Sequence, residues 1–335
     1  MNLVENDIIK KQLFPFTLTR SVADIRIGIL TIREKWNLVN LQVSQDIPSN
    51  LLPSTDLLSS LSAGDTLTST SKGVFITHPW HIFQYNDFAI REDFVLLTTG
   101  RISGSISKTN HVISPENVFL EEGASVEYVT LNASKGPIYV GKNAVIMEGS
   151  IIRGPFALCE GAIVKMGTMI YGATTLGPFS VGGGEIKNSV IFGYSNKAHH
   201  GYLGDSVIGE WCNLGAGTSN SNLKNNAGEI KIWNPTTDDF LEAGTKCGLL
   251  MGDFSRSAIN TSFNTGTVTG ICCNIFCQGL TNSYIPNFSW GGYEPELYDF
   301  DKAIRDINNW KKLKNHFLSE EEVGKLKDIY NNHNQ

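Results

Sequence analysis

A period of six residues limits the folds open to this chain more than any other feature of its sequence. It runs without a break through VGKNAV, IMEGSI, IRGPFA, LCEGAI, VKMGTM, IYGATT and LGPFSV. Each hexad opens on an aliphatic residue: Val140, Ile146, Ile152, Leu158, Val164, Ile170 and Leu176. The fifth positions, Ala144, Ser150, Phe156, Ala162, Thr168, Thr174 and Ser180, are small with the exception of Phe156. Six residues are too few for a helix and its turn. They suit one short strand and a tight corner, with the aliphatic side chain pointing inward and the small one fitting the bend. Coils of this kind stack at about 4.8 Å, each hydrogen-bonded to the coils above and below it.

The register resumes at Ile208 and Leu214, and more weakly at Ile259, Thr265, Ile271 and Cys277. These positions predict a mainly β chain, with a left-handed parallel β-helix over residues 106–290. The stretch from Asn220 to Cys247 is too polar and irregular for a coil, so a loop over 220–247 is expected to leave the solenoid, with a hairpin around NPTTDD and a place near a binding face. Residues 1–105 lack the six-residue period. There Val22, Ile25, Ile29, Ile32 and Trp36 follow helical spacing behind a Ser21/Asp24 capping box, while GVFITHPWHIF and DFVLL read as strands of a small α/β domain. Over 291–335, Leu297, Phe300, Ile304, Ile307 and Trp310 suit one helix, and Ser319 with Glu322 opens another. Such a tail is expected to cap the open end of the solenoid.

Composition removes several functional classes. The net charge is −6 with only 18% charged residues and no basic cluster, which argues against nucleic acid as a partner. No apolar run approaches the roughly 18 residues that span a bilayer, and MNLVENDIIKK lacks a signal-peptide core, so no membrane partner and a cytoplasmic location are expected. The six cysteines form no CxxC pair. Cys272, Cys273 and Cys277 read as small core residues, and no metal is predicted.

A solenoid wall is uniform, so chemistry has to come from polar residues that interrupt it. Residues 185–222 gather Lys187, Lys197, His199, His200, Tyr202, Asn213 and Asn222 within two or three coils. The run His199-His200-Gly201-Tyr202-Leu203-Gly204-Asp205, then Ile208-Gly209 and Asn213-Leu214-Gly215-Ala216-Gly217-Thr218, resembles the acetyltransferase half of the bacterial bifunctional N-acetylglucosamine-1-phosphate uridylyltransferase/glucosamine-1-phosphate acetyltransferases. LFPFTLTRSVADIRIGILTIREKW resembles a shortened sugar-nucleotidyltransferase-like domain.

The resemblance implies acetyl transfer from acetyl-CoA to the amine of an amino-sugar phosphate. It makes His199 the general base, with neighbouring His200 as the one-residue alternative, and Glu185 the residue that orients the ring. Lys187 and Tyr202 would hold the sugar phosphate, Asn213 and Asn222 would contact the sugar, and Ala216, with Asn260 and Thr261, would meet the acyl-CoA. It also implies a homotrimer in which neighbouring solenoids complete each site. The chain departs from the pattern at Leu223, where the family has tyrosine, and lacks the arginine that grips the sugar phosphate one to two coils earlier. Residues 1–20 hold no glycine and so no phosphate-cradling loop for nucleotidyl transfer. Two other readings stand beside acyl transfer: a protein related to sugar-1-phosphate nucleotidylyltransferases, and a non-catalytic scaffold that binds a nucleotide sugar.

Overall fold

The computed structural model describes residues 2–39, 46–62 and 73–332. Its centre is the expected solenoid. Ile138 pairs with Phe156 and Phe156 with Thr174, both in parallel, so one coil takes 18 residues, or three hexads. Three flat faces result. The first has six strands, from His111–Ile113 to Tyr202–Gly204; the second has nine, from Val118–Leu120 to Tyr284–Ile285. The third has ten, from Ser125–Val126 to the antiparallel Glu296–Leu297, which covers the open edge of Ser289–Trp290. The chain is thus mainly β, a parallel β-helix of the left-handed, hexapeptide type. All seven aliphatic lead positions and all seven fifth positions are buried, and each aliphatic side chain so placed contributes about 1.5–3 kcal/mol.

Beyond the inserted segment the inward positions are Ser257, Phe263, Thr269 and Ile275, all buried, whereas Ile259 is 69% exposed in a corner. The predicted register was therefore two residues out. Coils do not keep a strict count at their corners, as the pairing of Thr175 with Val190 shows, so a period cannot be carried across a break. The inserted segment forms an antiparallel hairpin, Lys231–Asn234 with Asp239–Glu242.

The N-terminal segment contains helices α1 (Asp7–Gln12), α2 (Ile32–Leu38), α3 (Thr55–Ser62), α4 (His81–Gln84) and α5 (Asn86–Thr98). The helix expected from Ser21 is instead a 3-10 turn, an antiparallel ribbon of Arg26–Ile27 with Leu30–Thr31, and then α2, capped by Thr31 and Glu34. Gly28 breaks it: its φ is +74°, and a Cβ there would lie 2.8 Å from the Ala89 carbonyl group. Ser21 donates its hydroxyl to Asp24 at 2.6 Å rather than capping a helix. DFVLL, read as a strand, lies within α5, and only Val74–Phe75 of GVFITHPWHIF is extended. The strand reading failed because Asp93 is buried: it pairs with buried Lys35 and accepts the Ile29 amide at 2.7 Å, a use of α5 that hydrophobic patterning does not reveal.

These helices cover the second face. Phe16, Ile25 and Ile82 share one cluster with Val190, Phe192 and Val207, the outward residues of that face. Polar pins hold the contact, with Asn86 Nδ2 donating to Ala173 O at 3.0 Å and Thr175 Oγ1 to Gly28 O at 2.9 Å. The hairpin joins the same cluster through Ile230 and Ile232, and Thr236 Oγ1 donates to Lys11 O at 3.0 Å. It therefore leans on the N-terminal segment. Helices α6 (Phe300–Lys312) and α7 (Glu320–Asn331) pack on Trp211, Phe254, Ile271 and Phe288, along the corner between the second and third faces. The expected Ser319/Glu322 capping box opens α7. Among the described residues no helix packs on the first face, where Ile151 is 55% and Met169 47% exposed.

Candidate functional site

Strands Glu185–Lys187 and Tyr202–Gly204 lie side by side at the top of the first face, placing Glu185 beside Tyr202 and Lys187 beside Gly204. Ile186 and Leu203 are buried inward, so by alternation Glu185, Lys187 and Tyr202 face outward. Gly204 makes room for the Tyr202 ring, since a Cβ there would stand 2.2 Å from the phenol oxygen. The Asn222 amide donates to that oxygen at 3.1 Å and to Asp205 Oδ2 at 2.5 Å. Asn188 Nδ2 donates to Asp205 Oδ1 at 2.7 Å, so one buried carboxylate fixes both amides. Burial and the nearby Asp205 charge push the Tyr202 phenol well up, which keeps it a neutral hydrogen-bond donor. Among the described residues, the Lys187 ammonium has neither ion pair nor hydrogen bond.

Above this cluster the strand Ser219–Asn220, which pairs with Ser262–Phe263, meets Tyr202–Gly204 through side chains, among them Asn220. The Asn220 side chain accepts the Gly204 amide at 2.9 Å and donates to the Gly204 carbonyl at 3.1 Å, satisfying the edge that the inserted segment opens.

His199 and His200 occupy the turn between Asn196–Lys197 and Tyr202–Gly204, both exposed at the corner where the third face meets the first. The turn rests on bare backbone: a Cβ at Gly183 would lie 2.4 Å from Ala198 O, and one at Gly184 2.8 Å from His199 O. Beneath it, Lys197 fills the inward position aligned with Gly182. Its ammonium donates to Gly183 O at 2.8 Å and to His199 O at 2.7 Å, and burial lowers its pKa to about 8. Glu185 accepts the Tyr171 hydroxyl at 2.5 Å, a bond that pushes the Tyr171 phenol up to about 12. No ion pair or hydrogen bond joins Glu185 to either histidine among the described residues.

The remaining predicted residues divide. Ala216 and Asn260 stand at the same corner in the coils beyond His199, where Ala216 O accepts the Asn260 amide at 2.7 Å. Thr261 is buried, and its hydroxyl turns away to Ala258 O at 2.9 Å. Asn213 belongs to the third face, between Asn196 and Arg256, and does not reach the first-face cluster. Glu185, Lys187, Tyr202 and Asn222 thus come together, with His199 at their corner. Sequence reasoning missed Tyr171, Asn188 and Asp205. Asp205 ends the motif that holds His199 and Tyr202 and could have been found there; nothing in the sequence marks Tyr171. Among the described residues no group of three or more His, Cys, Asp or Glu side chains is placed to hold a metal, and no helix is long and apolar enough to cross a membrane.

Residues 1–45 match the sugar nucleotidyl transferase family model. The bifunctional protein GlmU of Methanococcus maripaludis strain C5 is 31% identical over 232 residues, 66% of this chain and 47% of that one. A bifunctional sugar-1-phosphate nucleotidylyltransferase/acetyltransferase of Sulfurisphaera tokodaii is 28% identical, covering 62% of this chain and 45% of its own. The chain therefore spans about half the length of these two curated relatives. Among solved structures, an Arabidopsis UDP-N-acetylglucosamine acyltransferase aligns over 69% of this chain and 91% of that one, at 15% identity and a TM-score of 0.33. In sequence the chain is similar to the GlmU-like bifunctional proteins, with the sugar nucleotidyl transferase match over residues 1–45 and a hexapeptide-repeat solenoid beyond it.

Proposed function

We propose that the chain transfers an acyl group, acetyl in the first instance, from acyl-CoA to the amine of an amino-sugar phosphate. The observation that carries this reading is the cluster at the top of the first face. There an unpaired ammonium, Lys187, adjoins a positioned phenol, Tyr202, and a positioned amide, Asn222, with an exposed imidazole at the adjoining corner. A free cation and a neutral hydroxyl suit a phosphate ester, and an imidazole with a ring nitrogen able to accept a proton suits an amine about to lose one.

In the reaction the amine nitrogen attacks the thioester carbonyl and a new C–N bond forms. His199 accepts the N–H proton, the C–S bond breaks, and the proton passes to the departing CoA thiolate. Lys197 and the glycines beneath the turn hold the His199 backbone. Glu185 acts on the acceptor side, fixed by Tyr171, while Ala216 and Asn260 offer the corner along which the acyl donor lies. Three copies meet on the bare first face, whose exposed Ile151 and Met169 favour contact with another copy. Light scattering at micromolar concentration is expected to give three times the mass of the chain; a monomer would remove this part of the reading. The base is tested by kcat for His199→Ala and His200→Ala, with a loss of about 10²–10⁴-fold expected in the first alone. Equal losses, or none, would reject the assignment.

A further inference from the structure

The third face holds a buried cation, Arg256, with no ion pair or hydrogen-bond acceptor among the described residues. Arg256 stands in register between Asn213 and Asn274 on the outward side of that face, so an amide lies on either hand one strand spacing away. Helix α6 crosses above and closes a cleft of about 300 Å³ over these three residues. The Arg256 side chain is 9% exposed, and its Nε and Nη2 atoms have no hydrogen-bond partner. Its guanidinium stacks at 5.4 Å from the Trp310 ring. That contact satisfies one face of the cation but none of its in-plane N–H donors.

The nearest carboxylate does not neutralise it. Asp306 lines the same cleft, yet it accepts the Tyr298 hydroxyl at 2.5 Å and pairs with Arg305, with no ion pair to Arg256. The amides of Asn213 and Asn274 also form no side-chain hydrogen bond within the described residues. Buried cations without partners are costly to keep, and burial lowers the pKa of this one. An anion that docks in the cleft would supply the missing acceptors.

We propose that the cleft between the third face and α6 binds a phosphate monoester, with Arg256 gripping the phosphoryl oxygens in its plane and Asn213 and Asn274 donating from either side. A tetrahedral oxyanion offers more acceptors than a carboxylate and so uses the donors on both flanks. The cleft is far larger than one phosphate, and Trp310 and Asp306 line the remainder, suited to the ring and hydroxyls of the esterified group. The site is separate from the first-face cluster and does not depend on acyl transfer. Its ligand is recognised by the phosphate, whether free, on a sugar, or as the 3′-phosphate of coenzyme A.

The test is calorimetric titration of the intact chain with inorganic phosphate, glucosamine 1-phosphate and coenzyme A, each against chloride at matched ionic strength. Wild type is expected to bind at least one saturably, and the tightest of the three identifies the source. Arg256→Met should weaken that binding at least tenfold, and Arg256→Lys should restore part of it. If Arg256→Met fails to fold, Asn274→Leu takes its place with an expected loss of several-fold. Absence of saturable binding to wild type overturns the proposal, as does binding by Arg256→Met, or by Asn274→Leu in its stead, within twofold of wild type. Loss of phosphate binding in Lys187→Ala, with Arg256→Met binding as wild type, also overturns it, by placing the anion at the first-face cluster.

Discussion

Lys197 is a lysine inside a solenoid core, and its position explains how the His199 turn is held. Its folded pKa of about 8 lies below the ordinary 10.5, so between those values the unfolded chain binds more protons than the folded one. Stability conferred by Lys197 is therefore smallest below pH 8 and rises toward pH 10.5. Lys197→Met, which leaves Gly183 O and His199 O without donors, is expected to fall further behind wild type in urea unfolding at pH 10 than at pH 7. A gap that does not change with pH would contradict this. Asp205 makes a second residue-scale test, because its carboxylate fixes Asn188 and Asn222 at once. Asp205→Ala should raise KM for the sugar phosphate about tenfold or more through the loosened Asn222, and an unchanged KM would show that Asn222 is positioned by other means. His199, Lys187 and Tyr202 were legible as candidates because they break a repeat. Tyr171 was not, since a tyrosine in a hexad is also an ordinary strand residue, and only stacking of the coils brings it to Glu185.

Among elements, the corners decide more than the strands. Gly201 carries a φ of +123°, and a Cβ there would lie 2.0 Å from the Thr218 carbonyl oxygen, so no L side chain fits without shifting a coil. Gly201→Ala is expected to cost about 2 kcal/mol or more and to disturb the His199 turn; thermal unfolding with an unchanged midpoint would contradict the close approach seen here. The hexad strands were readable because the inward aliphatic position repeats in the sequence itself, from Val140 to Leu176. The register after the insertion was not, because Ser257 and Thr269 fill inward positions where an aliphatic residue was sought. The N-terminal ribbon was hidden for another reason. Val22, Ile25, Ile29 and Ile32 are all buried, so their spacing imitates a helix, while Gly28 turns the chain between them. In α5 the buried Asp93 makes sense only beside Lys35, which lies far away in sequence.

At the scale of the whole molecule, the N-terminal segment is fastened to the solenoid by charge as well as by apolar packing. Arg20 meets Asp253 through two bonds, of 2.6 and 3.2 Å, and Glu210 at 3.3 Å, while Asp253 is almost wholly buried. Arg20→Met leaves that carboxylate without its cation and is expected to cost about 3 kcal/mol. Urea unfolding of the variant checks this, and a loss under 1 kcal/mol would show that the apolar cluster alone holds the segment. The N-terminal helices cover the second face and α6 and α7 the corner between the second and third, while no helix packs on the first face among the described residues. We propose that this face carries an acyl-transfer site. Its most direct test is mass spectrometry of amino-sugar 1-phosphates incubated with acetyl-CoA and the intact chain. A product heavier by one acetyl group on nitrogen is expected, formed by wild type and lost in both His199→Ala and Lys187→Ala. An unaltered panel with wild type, or equal product from both variants, would contradict it.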